Sequence, residues 1–363
     1  MGWRTSSDEG LAIPGTSGDA GESALRTALA FSIVTGTPFT MHWGEDGVPA
    51  AAHAQALAMV SALGGEFIQT QPGTSEISYR PAPIRNVNAK IDAGLLPVGP
   101  LIQALALPLA VSGSASTLRI TGVTHLAGSP SFHELALAWL PAVERLGFAG
   151  EVSLEAAGFV PDGGGVVSVR IFPSPRLHPI DLGQRGLLHE VQALALVANL
   201  GIGIAVQLER RLSERLRARG IAAQIEVLPM PVERGRGLAA VVSAQFERSR
   251  VVWAAVGEAG RPAAAVADEA VDHLQRLLER RGAVDGALAA QLLPFMAIAS
   301  SSFSAPGAIG QGSRGASRVT TSEVTTPLLA VADVARRFLD VDIQVQGLPG
   351  DEGLVEVRPR ATA

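Results

Sequence analysis

Three stretches of the chain repeat one pattern. Residues 50–81 read as a helix over 51–63, a Gly64-Gly65 stop, a strand over 66–69, a Pro72-Gly73 turn and a strand over 76–81. Residues 132–173 read the same way: a helix over 133–146 ending at Gly147, a strand over 151–154, a Pro161-Asp162-Gly163-Gly164 turn and a strand over 166–171. Residues 328–358 give a helix over 330–338, a strand over 342–345, a Pro349-Gly350 turn and a strand over 354–358. A further strand and an apolar helix precede each stretch, the helices falling at 23–35, 101–112 and 286–299. Such self-similarity constrains a fold more than any single motif, because each unit must cover its apolar helix faces with its neighbours. Helical periodicity alternating with period-2 strands predicts α/β or α+β units, with their helices packed together and their sheets outward.

The third unit is interrupted. After Asp181-Leu182-Gly183 the texture changes until Val251-Val252-Trp253. A strand is expected at 189–200, then an amphipathic helix in which Leu208, Leu212 and Leu216 recur every four residues beside an Arg-rich face, stopped by Gly220. Strands follow at 222–228 and 238–245. This predicts a small inserted α/β domain at 184–251. The body is then 1–183 plus 252–363, with repeats at about 9–81, about 85–173, and 177–183 joined to 252–358.

Composition narrows the function. With 363 residues, 47% of them hydrophobic, the chain can build a large core and is not disordered. It has no cysteine, which excludes a disulfide scaffold, a zinc–thiolate site, an iron–sulfur cluster and a cysteine nucleophile. A formal net charge of −5 does not fit a strongly basic nucleic-acid binder. Lys90 is the sole lysine, so no P-loop Gly-Lys-Ser/Thr can form and arginine must do any phosphate work. Residues 1–10 lack the apolar run of a signal peptide, and the apolar stretch 94–111 is broken by Pro97, Pro100 and Pro108. The expectation is a soluble, cytoplasmic protein with no membrane partner.

Ordered motifs then carry a resemblance. Gly18-Asp19-Ala20-Gly21-Glu22-Ser23-Ala24-Leu25-Arg26, with Thr35-Gly36-Thr37-Pro38-Phe39 behind it, resembles the opening of the RNA 3′-terminal phosphate cyclases. Phe159-Val160-Pro161-Asp162-Gly163-Gly164-Gly165 is similar to their Phe-Tyr-Pro-x-Gly-Gly-Gly segment, and Leu182-Gly183-Gln184-Arg185-Gly186 to their Leu-Gly-Glu-Arg-Gly. Val256-Gly257-Glu258 resembles their Gly-Glu. Leu288-Ala289-Ala290-Gln291-Leu292-Leu293-Pro294 resembles their Leu-Ala-Asp-Gln-Leu-x-x-Pro. The resemblance implies three βαβαββ repeats with a small insert, a fold shared with enolpyruvyl transferases. It also implies ATP- and Mg²⁺-dependent conversion of an RNA 3′-phosphate to a 2′,3′-cyclic phosphate, through adenylation of a histidine near the C-terminus.

The same comparison exposes departures. The family's Ser-x-His-x-x-Thr-Asn segment corresponds to Thr321-Ser322-Glu323-Val324-Thr325-Thr326-Pro327, so Glu323 stands at the nucleophile's position, and no histidine follows His273. Ala290 replaces the carboxylate of the Ala-Asp-Gln motif. In the first loop Asp19 replaces Glu, while Ala20 and Glu22 replace glycines that would let backbone N–H groups approach an anion. The family's Arg-rich loop reads Gly44-Glu45-Asp46-Gly47-Val48-Pro49, and its Ala-Gly-Ser loop reads Ala93-Gly94-Leu95.

On this basis Gly18, Asp19, Gly21, Arg26 and Gln291 are the nucleotide- or phosphate-binding candidates, and Glu323 the catalytic one. Arg185 (or a hinge role for it), Arg210, Arg211 and Arg215 are candidate RNA contacts, the alternative being a solvated arginine face. His125 is a candidate substitute nucleophile or an ordinary loop histidine. His42 and His53 have no regular metal spacing, so no metal ligand is assigned. The Gly163–Gly165 run is expected to make a tight strand connection, and the serine-rich segment 300–317 a surface loop or a lid. Two functions remain open. One is a cyclase-like pseudoenzyme retaining RNA or protein binding; the other is an active cyclase with a different nucleophile, using ATP and Mg²⁺. An enolpyruvyl transferase fits least, because the basic cleft is missing.

Overall fold

The computed structural model describes residues 10–44, 47–69, 73–304 and 315–360. Glu45 and Asp46 of the acidic loop, Pro72 of the first turn, and 305–314 of the serine-rich segment lie outside the described residues.

Each repeat folds into a four-stranded sheet of one topology. In the first, β1 (Leu11–Pro14) runs parallel to β2 (Phe39–His42); β2 is antiparallel to β4 (Glu76–Arg80), which carries β3 (Glu66–Gln69) at the edge. Helices α1 (Gly18–Thr35) and α2 (Ala50–Leu63) make the two crossovers. The second repeat places β5 (Asn88–Pro97), β6 (Ser116–Val123), β7 (Ala149–Ala156) and β8 (Gly165–Phe172) in the order β5-β6-β8-β7. Its crossovers are α3 (Val98–Ala110) and a segment of α4 (Phe132–Glu134), a π-helical turn (Leu135–Trp139) and α5 (Leu140–Glu144). The third repeat opens with β9 (Asp181–Leu182) and resumes after the insert with α8 (Gly286–Ser300), β14 (Ser317–Thr321), α9 (Thr326–Phe338), β15 (Val341–Gln346) and β16 (Gly353–Pro359). Its sheet runs β9-β14-β16-β15, the same arrangement. Three βαβαββ repeats of an α/β fold are therefore present as expected.

The helices gather at the centre because their sequences leave no alternative. In α8 every residue but Ala287, Gln291 and Pro294 is buried, and α3 is buried at all but Gln103 and Ala104. Neither helix has a polar face to offer to water. The scarce aromatics sit on the seams. Phe31 and Phe39 of the first repeat meet Phe338 of the third at ring-centroid distances of 6.0 and 6.1 Å. Trp139 and Phe148 of the second meet Phe295 of the third at 6.0 and 5.7 Å. Each such ring contributes roughly 1.5–3 kcal/mol by leaving water.

The insert comprises β10 (Leu188–Ala198), α6 (Ile202–Ala218), β11 (Gln224–Pro229), β12 (Gly237–Phe246), β13 (Arg250–Val256) and α7 (Ala263–Glu279), in sheet order β11-β10-β12-β13. It has its own core, which runs from Val191 through Leu208, Leu212 and Leu216 to Val266, Ala270, Leu274 and Leu277. The division expected at 251 would cut β13 and assign α7 to the body. On shared core the unit runs from β10 to the end of α7, because the apolar stripe of α7 is covered by α6 and the insert's sheet rather than by the third repeat.

The Arg-rich face of α6 is also placed differently from expectation. Arg211 donates to both carboxylate oxygens of Asp268 on α7, at 2.8 and 2.9 Å. Arg215 reaches Asp268 at 3.2 Å and Asp272 at 2.6 Å, and Arg219 pairs with Asp272 and Gln275. These cations are turned to the neighbouring helix and bound there. Arg210 alone of the candidates on this helix stands out, 78% exposed, with Glu214 at 3.0 Å.

Two of the joints between the insert and the body involve the linker and α4. Arg185 lies on the linker and donates to the carbonyls of Leu277 (2.9 Å) and Leu278 (3.0 Å) at the end of α7, with its guanidinium 4.4 Å from the Phe246 ring centre. It pins the insert's last helix to its point of entry. The second joint is Glu134, the N3 residue of a capping box with Ser131: it accepts from the Ser131 N–H at 2.7 Å and from the Ala254 backbone on β13. Burial, with the Asp285 carboxylate nearby, pushes Glu134 up to about 7.

Arg185→Ala is expected to destabilise the protein by about 2 kcal/mol, since two charge-assisted hydrogen bonds are lost and two helix-end carbonyls orphaned. Arg185→Lys is expected not to restore the loss, which chemical denaturation would measure. Because the folded Glu134 binds its proton more tightly than the unfolded chain does, its contribution to stability is full below about pH 4.5 and disappears as pH rises through 7. Glu134→Gln keeps the capping geometry without the charge. Its stability relative to the parent is expected to rise between pH 5 and pH 8, by at most roughly 3 kcal/mol. A pH-independent difference in melting curves would refute the assignment.

Candidate functional site

A cavity of about 510 Å³ opens where the three repeats meet. The first turns of four helices face it: Asp19, Glu22 and Arg26 from α1, Pro97, Pro100 and Gln103 around the start of α3, Ala287, Ala290 and Gln291 from α8, and Thr325 and Pro327 at the start of α9. The fold positions these residues by main-chain means. Gly21 sits on α1 where an added Cβ would lie 1.8 Å from the Thr16 carbonyl oxygen, and Gly18 opens the helix with a φ of +64°. Asp285 caps α8 by accepting from the Leu288 N–H at 2.7 Å, and Thr325 caps α9 by accepting from Leu328 at 3.3 Å.

Helix N-termini attract anions, yet here the protein supplies the partners itself. Asp285 and Thr325 each occupy an N–H at the start of α8 and α9, and Pro97 and Pro100 at the start of α3 have no N–H to give. Arg26 is the one cation lining the cavity among the described residues. It hydrogen-bonds Glu22 at 3.4 Å and Ser23 at 3.0 Å, and also donates to Gln55. Gln55 in turn donates to Glu22 at 3.1 Å. Glu22 and Gln55 thus close a ring of hydrogen bonds with Nη1, and Ser23 accepts from Nη2. Burial pulls the Arg26 pKa down, and the Glu22 carboxylate opposes that pull.

A smaller cavity of about 70 Å³ shares Gly128, Ser129, Pro130, Ala287 and Gln291 with the large one and reaches Glu134, Asp285 and Trp253 of the insert. Burial raises the Asp285 pKa as it does that of Glu134. Behind it lies a buried imidazole pair: Thr124 Oγ1 is 2.8 Å from His125 Nδ1, and His125 Nε2 is 2.9 Å from His133 Nδ1. His125 is fully buried and stacked on Phe159. Burial, then His133, hold its pKa well below the ordinary histidine value; burial takes His133 to about 4. These are neutral, satisfied core groups, and His125 does not line either cavity.

Of the residues singled out from sequence, Asp19, Arg26 and Gln291 converge on the large cavity. Gly18 and Gly21 shape the start of α1 without lining it. Glu323 is exposed and outside the lining; its carbonyl oxygen packs against Gly286, where a Cβ would come within 2.7 Å. Arg210, Arg211 and Arg215 belong to the insert and Arg185 to the linker before it, and none of them lines the cavity. Gly163 and Gly164 have φ of +61° and +73°, and the Gly163 N–H donates to Phe159 at 2.7 Å, a tight strand connection as expected. Sequence reasoning missed Gln55, Gln103, Glu134 and Asp285. The Ser131-x-x-Glu134 box and the aspartate before α8 were legible as caps; a lone glutamine on an apolar helix carried no comparable signal.

The ATP and Mg²⁺ implied by the resemblance fit these residues poorly. A triphosphate would meet Asp19 and Glu22 against one guanidinium already paired, and Ala290 offers no metal ligand. Among the described residues no group of three or more acidic or histidine side chains could hold a metal ion. None of the described helices is long and apolar enough to cross a membrane.

Comparison with known proteins completes the picture. Residues 17–345 match the family described as RNA 3′-terminal phosphate cyclase. Proteins of that name are 32% identical over 345 residues in Ralstonia nicotianae, covering 93% of each chain, and 31% identical over 347 residues in Pseudomonas fluorescens, covering 94% of this chain and 96% of that one. The one from Methanopyrus kandleri is 28% identical over 361 residues, covering 96% of this chain and 99% of its own. Among solved structures, the enolpyruvyl transferase NikO from Streptomyces tendae aligns at a TM-score of 0.27 and 16% identity, over 58% of this chain and 38% of its own. The EPSP synthase from Acinetobacter baumannii aligns at 0.30 and 11% identity, over 98% and 66%. Sequence matched along nearly its whole length, on three βαβαββ repeats, places the chain in the RNA 3′-terminal phosphate cyclase family, to which it belongs.

Proposed function

We propose that this protein is a cyclase-fold pseudoenzyme: it has lost ATP-dependent RNA 3′-phosphate cyclisation and keeps a binding role toward RNA 3′ ends or a protein partner in the cytoplasm. The observation that carries the reading is the enclosure of Arg26 by Glu22, Ser23 and Gln55. A guanidinium must present open N–H groups to hold a phosphate bidentately. Here a carboxylate from the same helix turn has taken the place of the anion.

Glu323 supports the reading from the other side. A carboxylate attacking ATP would give an acyl-adenylate, a far more hydrolysable species than an adenylated imidazole. It is also exposed to the water that would hydrolyse it. His125 is no replacement, being fully buried. One observation favours the second reading, an active cyclase with another nucleophile: Asp19, Arg26 and Gln291 still meet in one cavity.

Incubation with α-labelled ATP and Mg²⁺ separates the two. No protein-bound AMP is expected, and Glu323→His alone is expected to leave labelling at background, because Glu22 still neutralises Arg26. A stable adduct in the parent chain would overturn the proposal. For the binding role, a short RNA with a 3′-phosphate is expected to bind with an affinity that falls as salt rises. Arg210→Ala, removing a cation of α6 that is 78% exposed, is expected to lower the logarithmic salt slope by about one. Anisotropy titrations at two or more salt concentrations would measure this, and no detectable binding would remove RNA as the partner.

A further inference from the structure

Charge and lining of the large cavity point to a different kind of occupant. Its volume, about 510 Å³, is that of a small-molecule site. Its wall is mostly apolar: Leu107 and Ala104 of α3, Phe295 and Pro294 of α8, Val331 of α9 and Leu126 of the loop after β6. The charged lining residues among those described are Asp19, Glu22 and Arg26, two negative against one positive, and the positive one is enclosed. An anion entering here would lose hydration and gain no free cation. Of the helix N-termini at the cavity, those of α8 and α9 are already capped by Asp285 and Thr325, and that of α1 carries Asp19 and Glu22 beside it.

One polar group in the wall is unsatisfied. Gln103 lines the cavity, and its Nε2 is buried with no hydrogen-bond partner. A buried amide donor without a partner costs free energy, and rotation of the terminal amide turns it to the cavity. Ser129 and Gln291 add neutral polar groups on the facing side.

We propose that the cavity binds an uncharged, ring-containing and largely apolar small molecule, lacking phosphate and carboxylate, which presents an acceptor to Gln103 and a donor to Asp19 or Glu22. The prolines and Phe295 supply flat apolar surface for a ring, and the neutral polar groups fix its orientation. This rests on the reading that the cavity has left phosphate chemistry, and it adds the class of ligand that has replaced it.

The test uses the full chain and the uncharged fluorophore N-phenyl-1-naphthylamine. Saturable binding of one fluorophore per chain is expected, with no displacement by millimolar Mg²⁺–ATP. Ala104→Trp, which fills the cavity from α3, is expected to weaken binding at least tenfold. Ala287→Trp, at an exposed position on the cavity rim, is expected to do the same and serves if the first variant does not fold. Absence of saturable binding, or unchanged affinity in a folded tryptophan variant, overturns the ligand class. If AMP labelling is also absent, the loss of cyclisation stands and this inference alone falls. If Mg²⁺–ATP displaces the fluorophore and labels the protein, both fall together.

Discussion

Everything in this molecule follows from the need to bury helices that are apolar on nearly every side. α3 and α8 cannot lie on a surface, and no single repeat has enough sheet to cover them. Three repeats solve the problem jointly by placing their helices at a common centre and their sheets outside. Aromatic rings are then needed at the seams as well as within each unit, and Phe31 and Phe39 meet Phe338 there, as Trp139 and Phe148 meet Phe295. The same geometry brings several helix starts to one place, since parallel crossovers leave each sheet at corresponding ends. A cavity rimmed by helix N-termini is a by-product of the packing, whatever chemistry it later hosts.

That by-product would let the scaffold survive the change of chemistry proposed above. The segments forming the rim are held by main-chain contacts and caps: Gly21 against Thr16, Gly286 against Glu323, Asp285 and Thr325 on their helices. Side chains pointing into the cavity contribute little to this framework. A glutamate at position 22 is accommodated because it finds Arg26 and Gln55, two groups that would otherwise need an outside partner. The pair is less than one-quarter exposed on either side, so its attraction is weakly screened. A cavity that needed an anion becomes one that carries its own.

Much of the fold was readable beforehand because repetition multiplies weak signals. A Gly-Gly stop or a Pro-Gly turn means little once, but the three helix–strand–turn–strand runs constrained one another. The insert was legible as an interruption but not in extent. Its return crossover, α7, has an ordinary apolar stripe, and only the three-dimensional core shows that α6 and the insert's sheet cover it. The ion pairs of the α6 arginines were not legible for a related reason. Their partners, Asp268 and Asp272, lie more than fifty residues away, and linear charge runs carry no information about a neighbouring helix. At the cavity, Asp19, Arg26 and Gln291 were legible from the family motifs, while Gln55 and Gln103 sit on helices whose pattern announces only burial.

Position 323 shows how chemistry and architecture separate. The residue's carbonyl is packed against Gly286 and its N–H donates to the Thr321 hydroxyl oxygen, so the main chain there belongs to the junction of β14, α8 and α9. Its side chain is exposed and takes no part in that junction. An imidazole could be exchanged for a carboxylate without touching the fold, and a carboxylate so placed cannot do what a neutral ring nitrogen does. It repels a polyphosphate on approach, and any mixed anhydride it formed would stand in water. On the proposed reading, with Glu22 paired to the cation and Glu323 at the position that the family resemblance gives to the nucleophile, the two glutamates would both oppose a polyphosphate substrate. Reversal at either position alone would therefore leave the other barrier in force.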